Sequence, residues 1–550
     1  MDKMIIKSIN KYTLATFLLF GSLFFHFAKE MLQIRSDGWY VGQVNLYGDL
    51  VFHLGFINKF LESGQIMVSN PYFSSIKPNY PIFADFITAQ VARFTGVDLA
   101  LFLVTFLMGL LTIYVARNFI LNFIKSEKVI FLVLLLFFFN GGFGFYYFFQ
   151  DLASSQKPFF DFIFSLPNEY TDIKEKGYWW INTYLAYFLP QRGFLFAFPL
   201  TLTVFSLLYV GYKRNKRMFF VIAGFLSGVL PLVQVHSLFV IFLVSLFFGL
   251  ATVVSSKFNK RLVINWFLFA IITSAVALPI FNAISQLESP LKFIRIEPGW
   301  TSEENIVWFW FKNLGIFAPL LIISVIWLFK NKLLFYLYLP FAFIFLIANI
   351  VVFQPWNFDN SKLLVYWYFA STIVVGYFIY DQLLVKNLAK KAIGFFLIST
   401  MIFSGALDVF RTFTPVTNYQ IFSNSDLEIA ESVKNLTAEK SLFLTASNHN
   451  HPIPALAGRS TLVGFHGWLW SHGLPYQERV NDVKQIYLGS TQAEQLISKY
   501  KINYLTIGPL EKSEYQIDES FFIKFPTIRL TTGWTIYDVS NLWADSNREN

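Results

Sequence analysis

The stretch Ser36–His53, SDGWYVGQVNLYGDLVFH, carries two carboxylates, Asp37 and Asp49, with His53 one helical turn beyond the second. It follows an apolar run, so these groups would stand at the edge of a bilayer. Ionisable residues there are costly, and the default reading is functional. A carboxylate so placed can act as a general base towards a hydroxyl nucleophile. Asp49, Asp37 and His53 are the candidate catalytic residues. Elsewhere Arg192 ends Leu189-Pro-Gln-Arg192, His236 ends Pro231-Leu-Val-Gln-Val-His236, and Asp359 precedes Lys362 by three positions. A guanidinium and an ammonium on one face would neutralise the phosphate of a phosphate-bearing lipid. His466 and His472 lie in a loop with two Trp and three Gly, Gly464 to Gly473.

Each signal has a plainer reading. Gly48-Asp49 before an apolar run is also an ordinary helix cap. Asp37 before Gly38 also begins a turn. Arg192 at a span end can snorkel to headgroups, and Asp359 and Lys362 at i, i+3 can pair with each other. His236 fits an interface histidine, Asp85 a cap or a pairing partner within its loop, and the Trp/His loop a membrane anchor. Asn140-Gly-Gly-Phe-Gly144 lacks the Gly-Lys-Ser/Thr ending of a phosphate loop. No spaced His/Asp/Glu cluster suggests a metal.

What lifts these residues together is the architecture that must position them. The chain has 550 residues, 55% hydrophobic and 14% charged, against roughly 25% charge in a soluble domain. It reads as an α-helical polytopic membrane protein, and the first span as retained rather than cleaved. Cysteine is absent, which excludes disulfides and thiolate chemistry. About eleven apolar windows reach spanning length: 12–29, 97–119, 129–149, 192–211, 217–233, 236–254, 263–283, 314–330, 333–353, 362–383 and 391–409. Short basic loops such as Lys213–Arg217 and Lys257–Arg261 alternate with longer aromatic ones, 30–95, 150–190, 284–313 and 354–361. By the positive-inside rule the basic loops are cytoplasmic. The N-terminus is then inside, and the candidate residues and the C-terminal region share the outer face. The net charge of +9 is a topology signal and gives no ground for a nucleic-acid partner.

Loop 30–95 is too long for a connector. Gly48–Ser63 has helical apolar spacing and reads as an amphipathic helix in the interface; a Pro-rich piece and a second helix through Asp85 follow. Residues 1–410 form the membrane domain. Residues 411–550 have the composition of a soluble domain, with strands at Ser441–Ala446, Thr461–Gly464, Tyr504–Ile507, Thr527–Leu530 and Gly533–Val539. They alternate with helices at Asp426–Leu436, Tyr476–Leu488 and Ala493–Tyr500, which predicts a small extracytoplasmic α/β domain.

This plan resembles the GT-C superfamily of membrane glycosyltransferases, which includes protein O-mannosyltransferases and the lipid A aminoarabinose transferase. The strings Gly48-Asp-Leu-Val-Phe-His53, Asn70-Pro71 with Tyr80-Pro81 and Asp85, Pro190-Gln-Arg192, Asp359-Asn-Ser-Lys362, His466-Gly-Trp-Leu-Trp470, and Gly508-Pro-Leu-Glu511 with Tyr515 are similar to those of a prokaryotic branch. The resemblance implies inverting transfer of a sugar from a polyprenyl-phosphate-linked donor to an acceptor hydroxyl of a lipid, glycan or protein on the outer face. The base would be a first-loop acid, Asp49 in preference to Asp37. Arg192, Lys362 and His236 would hold the lipid phosphate, with Asp359 orienting Lys362. Tyr80, Asp85, His466, Trp468, Trp470 and His472 complete the substrate-binding set, the indoles suiting a sugar ring or prenyl chain. Gln234 stands where a second histidine would be expected. No cofactor is called for, and a divalent metal stays compatible with this chemistry. The rival reading is a transporter or flippase of lipid-linked saccharides, which would place polar groups at mid-bilayer and show internal repeats. A third is a non-catalytic scaffold.

Overall fold

The structure is a computed structural model that describes residues 10–285, 293–529 and 533–544. Helices occupy all eleven expected positions. Among the described residues seven are long and apolar enough to cross a bilayer: Lys11–Glu30, Val97–Leu121, Arg192–Arg214, Val235–Ser255, Lys260–Ile284, Asn357–Leu384 and Leu388–Arg411. The pair Ile306–Leu314 and Phe317–Leu328, bent by 95°, makes eight if it is one span. By length and composition alone, seven or eight of the eleven expected spans pass. Arg217–Val233 and Lys332–Ala348 are shorter, with Pro231 and Pro340 inside them, and the window 129–149 breaks after Phe138. Part of the expected loop 284–313, residues 286–292, lies outside the described residues.

The chain divides into two compact units. The first comprises residues 1–29, 103–280 and 293–417 and holds most of the apolar helices. Its core is aromatic: Phe24, Phe138, Tyr184 and Phe188 pack within 6.4 Å of one another. At Asn140–Gly144 the glycines let backbones meet. A Cβ on Gly142 would stand 2.2 Å from the Lys312 carbonyl and one on Gly144 1.7 Å from that of Tyr170. Asn140 meanwhile accepts from the Thr183 N–H at 2.7 Å. The motif is a packing joint.

The second unit comprises residues 30–102, 281–292 and 418–550, so the long loop after the first apolar helix folds with the C-terminal region. A three-stranded sheet joins them: Gly38–Val41 pairs antiparallel with both Gln33–Arg35 and Tyr419–Ser423. A five-stranded mixed sheet runs in the order Ser460–Thr461, Leu442–Leu444, Tyr504–Ile507, Thr535–Asp538, Thr527–Arg529. Its first two pairings are parallel and the rest antiparallel. These are the expected strands, although Leu530 lies outside the described residues. Asn424–Leu436, Gln477–Tyr487 and Ala493–Tyr500 match the expected helices.

The helix expected at Gly48–Ser63 starts earlier, at Val44. The Gln43 side chain caps it by accepting from the Asn45 and Leu46 N–H groups, and Gly64, at φ 63°, ends it. It lacks the single buried face expected of an amphipathic helix. Every residue from Leu50 to Phe60 is buried, as in a helix enclosed on all sides.

Candidate active site

Asp49 lies in the second turn of Val44–Ser63, half-buried. With Gln43 as the cap, the capping reading of Asp49 falls away. His53 follows at i+4, on the same helix face. The His53 Nδ1 is 2.9 Å from Asp85 Oδ1 and 3.1 Å from Oδ2, and both side chains are buried. Asp85 is in the first turn of Phe83–Thr95, so the contact ties the helices Val44–Ser63 and Phe83–Thr95 together. Phe52 gathers the neighbouring residues. Its ring meets Tyr72 at 5.4 Å, Tyr80 at 4.8 Å, Trp468 at 5.1 Å and His472 at 5.2 Å. Tyr80 also contacts His53 and His472, and Asn79 Nδ2 donates to the His472 carbonyl.

Not every candidate joins this group. Asp37 is exposed at the two-residue turn between Gln33–Arg35 and Gly38–Val41. It accepts from Tyr40 Oη at 2.6 Å, which pushes the phenol pKa up. His466 stacks on Tyr476 at 5.3 Å, and burial pushes its pKa down. Trp470 is 47% exposed.

The first unit holds the cationic candidates. Arg192 is the first residue of Arg192–Arg214, buried, its Nη1 donating to Thr105 Oγ1 at 2.9 Å. A Cβ on the adjacent Gly193 would meet the Val233 carbonyl at 2.5 Å, so this helix start abuts the break at Gln234. There Gln234 is extended, at φ −169°. It accepts from Ser237 Oγ, which also bonds Tyr366 Oη. Gln234 thus serves as an anchor for the helix break. His236 bonds the Gln354 carbonyl oxygen of the side chain and senses the charges of Lys362 and Asp359. Lys362 Nζ is 3.0 Å from Asp359 Oδ1. The i, i+3 pair of Asp359 and Lys362 is thus formed. Among the described residues no three His, Asp or Glu side chains gather as a metal site would require.

Three features of the second unit were not read from the sequence. Lys59 is pushed down to about 8 by burial and donates to Ser460 Oγ at 3.1 Å. His451 Nε2 lies 2.8 Å from Glu511 Oε1, which also accepts from the Ala446 N–H and Thr506 Oγ1. His449 packs edge-on against Tyr47 at 4.6 Å. The run Ser447-Asn-His-Asn-His451 was the available signal.

No protein-family model matches the sequence, and none of the curated proteins does. Solved structures do match. An oligosaccharyltransferase from Archaeoglobus fulgidus, tethered to an acceptor peptide, aligns at TM-score 0.51 and 10% identity, over 91% of this chain and 69% of its own. AglB of the same organism, in complex with an inhibitory peptide and a dolichol-phosphate, aligns at 0.50 and 11% over 90% and 70%. ArnT from Cupriavidus metallidurans in the apo state aligns at 0.50 and 11% over 97% of this chain and 99% of its own. Both AglB and ArnT are GT-C glycosyltransferases. The chain shares the fold of these structures. At these identities the likeness speaks for architecture, and the chemistry must be argued from the residues.

Proposed function

We propose that the chain is a membrane glycosyltransferase that moves a sugar from a polyprenyl-phosphate-linked donor to an acceptor hydroxyl on the outer face. The observation that carries this reading is Asp49: a half-buried acid on the first external helix, one turn before a buried His–Asp pair, in a GT-C fold. Asp49 takes the proton of the acceptor hydroxyl as its oxygen attacks the anomeric carbon. The bond from that carbon to the phosphate oxygen breaks on the opposite face, which inverts the centre and leaves polyprenyl phosphate. Arg192 and Lys362 stabilise the charge on the leaving phosphate. His236 assists them, and Asp359 holds Lys362 in place. His53, fixed by Asp85, shapes the wall beside Asp49, and Tyr80, Trp468 and His472 line the sugar side. His466 and Trp470 border that side, and Asp37 is the alternative base. The dolichol-phosphate held by AglB supports a lipid phosphate as the donor's carrier.

The test is binding of a polyprenyl phosphate to the purified chain in lipid nanodiscs, followed by native mass spectrometry. Wild type should retain the lipid and Arg192→Ala should lose it. Absence of binding to wild type would overturn the reading in favour of a carrier or scaffold.

A further inference from the structure

The first unit contains a cavity of about 490 Å³, within the range of about 300–1,000 Å³ usual for ligand sites. It lies at the far ends of the helices that begin near the cationic candidates. On Arg192–Arg214 its lining starts at Phe205, on Val235–Ser255 at Val244 and on Ser361–Ile379 at Ala370. Phe205 stands thirteen residues beyond Arg192, about 20 Å along the helix, so the cavity is distinct from the place assigned to the donor's phosphate. Phe123, Ile124 and the first half of Lys332–Ala348 complete the wall.

The wall suits hydrocarbon. It is mainly aliphatic and aromatic, and several of its hydroxyls are already committed. Ser245 Oγ donates to the Phe242 carbonyl, Thr252 Oγ1 to that of Gly249 and Ser255 Oγ to that of Thr252, while Tyr338 Oη bonds Ser371 Oγ. A polar ligand would lose its water and find those groups taken. Val254, Leu333 and Tyr336 belong to the lining and are 60%, 43% and 59% exposed. The cavity therefore opens outward between the end of Val235–Ser255 and the start of Lys332–Ala348.

The rim carries charge of one sign. Lys125, Lys213, Lys257, Lys330 and Lys332 each stand within two residues of a lining residue, and no Asp or Glu does. All five are exposed. Lys213 Nζ lies 5.7 Å from the centre of the Tyr209 ring, which is part of the wall, and Lys332 directly precedes Leu333 at the mouth.

We propose that this cavity takes an acyl chain of an anionic phospholipid, with the rim lysines, Lys213 and Lys332 foremost, holding the headgroup phosphate. Bilayer hydrocarbon is as apolar as the wall, so the chain fixes the lipid's position and the ammonium groups choose the headgroup, as basic pockets between membrane helices do. A zwitterionic lipid fills the same space without a net charge to answer the rim. The site does not depend on the glycosyl-transfer reading.

The experiment is native mass spectrometry of the full chain from detergent micelles equilibrated with palmitoyl-oleoyl phosphatidylglycerol or the matching phosphatidylcholine. Wild type should retain phosphatidylglycerol at least fivefold more than phosphatidylcholine. The double variant Lys213→Gln/Lys332→Gln, at two exposed positions, should bring that ratio close to one. Ala251→Trp, which adds an indole at an exposed lining position, should lower phosphatidylglycerol retention at least fivefold. Thermal melts check that the variants fold, and if Ala251→Trp does not, the lysine pair decides. Equal retention of the two lipids by wild type, or selectivity that survives in a folded variant, would overturn the proposal. Displacement of phosphatidylglycerol by an equal concentration of a polyprenyl phosphate would also overturn it, because the cavity would then belong to the donor's chain.

Discussion

The Nδ1 of His53 lies 2.9 Å from Oδ1 of Asp85, and the two side chains are 4% and 0% exposed. This contact joins the helix that carries Asp49 to the next helix in the loop, 32 residues on. Neither group can turn to water if the other is removed. A buried pair broken on one side costs about 3–5 kcal/mol when charged and about 1–3 kcal/mol when neutral. Asp85→Ala should therefore lower the melting temperature by several degrees and reduce activity through disorder beside Asp49. Asp85→Asn, which keeps an acceptor for the imidazole, should lose less of both. Equal melts for Asp85→Ala and wild type in detergent would show that the pair holds nothing.

Two first-loop acids compete for the role of base, and their settings differ. Asp37 is exposed at a turn and bonded to Tyr40, whereas Asp49 is half-buried and a turn from His53. Removal of a general base costs about 10²–10⁴ in rate. Asp49→Asn should lose kcat in that range with polyprenyl-phosphate affinity retained, while Asp37→Asn should stay within about twofold of wild type. Single-turnover transfer by the two variants decides it, and a reversed order would make Asp37 the base.

The sequence made the helical elements legible because apolar windows and basic loops report directly on spans, and the strands at Tyr504–Ile507 and Thr527 onward because turn residues bracket them. It misread Val44–Ser63 as having one buried face. Apolar spacing marks one face of a helix, but Asn58 and Lys59, buried by bonds to the Ala455 carbonyl and Ser460, are polar residues that only tertiary partners can bury. The strand Gly38–Val41 stayed hidden for a related reason, since its partner Tyr419–Ser423 lies far along the chain. Within the site, spacing suggested Asp359 with Lys362 and Asp49 with His53. The contact between His53 and Asp85 was not legible, because nothing local in a sequence reports a pairing across 32 residues.

The enclosure of Val44–Ser63 gives a packing prediction. Tyr72 Oη donates to the Val51 carbonyl at 2.6 Å and lies across Gly55, where a Cβ would stand 2.2 Å from that oxygen. The phenol is buried and its pKa well raised by burial, so it has no room to retreat. Gly55→Ala should destabilise the second unit by about 1–3 kcal/mol through overpacking, despite the better helix propensity of alanine. Gly48→Ala on the same helix, with open space around its Cβ, should be neutral or slightly stabilising. Thermal melts of the two variants separate packing from propensity.

The loop between the helices Phe145–Ser154 and Arg192–Arg214 should respond to pH. Glu169 is buried beside Arg411, with Nη1 3.3 Å from Oε1. Burial, and then the nearby Asp172 charge, raise its pKa to about 7, outweighing Arg411 and Lys174. Asp172 is itself raised, chiefly by burial. The neighbouring Asp408 side chain accepts from the Tyr170 and Thr171 N–H groups, which anchors the loop beside Glu169. A carboxyl whose folded pKa lies above its unfolded one adds stability that is complete below about pH 4.5 and lost as pH rises through about 7. Backbone amides 166–172 should therefore exchange more slowly at pH 5.5 than at pH 8, after correction for intrinsic rates. Glu169→Gln, neutral at every pH, should shrink that difference while keeping the protection seen at pH 5.5. Protection in wild type that increases from pH 5.5 to pH 8 would mean that the Arg411 ion pair outweighs burial.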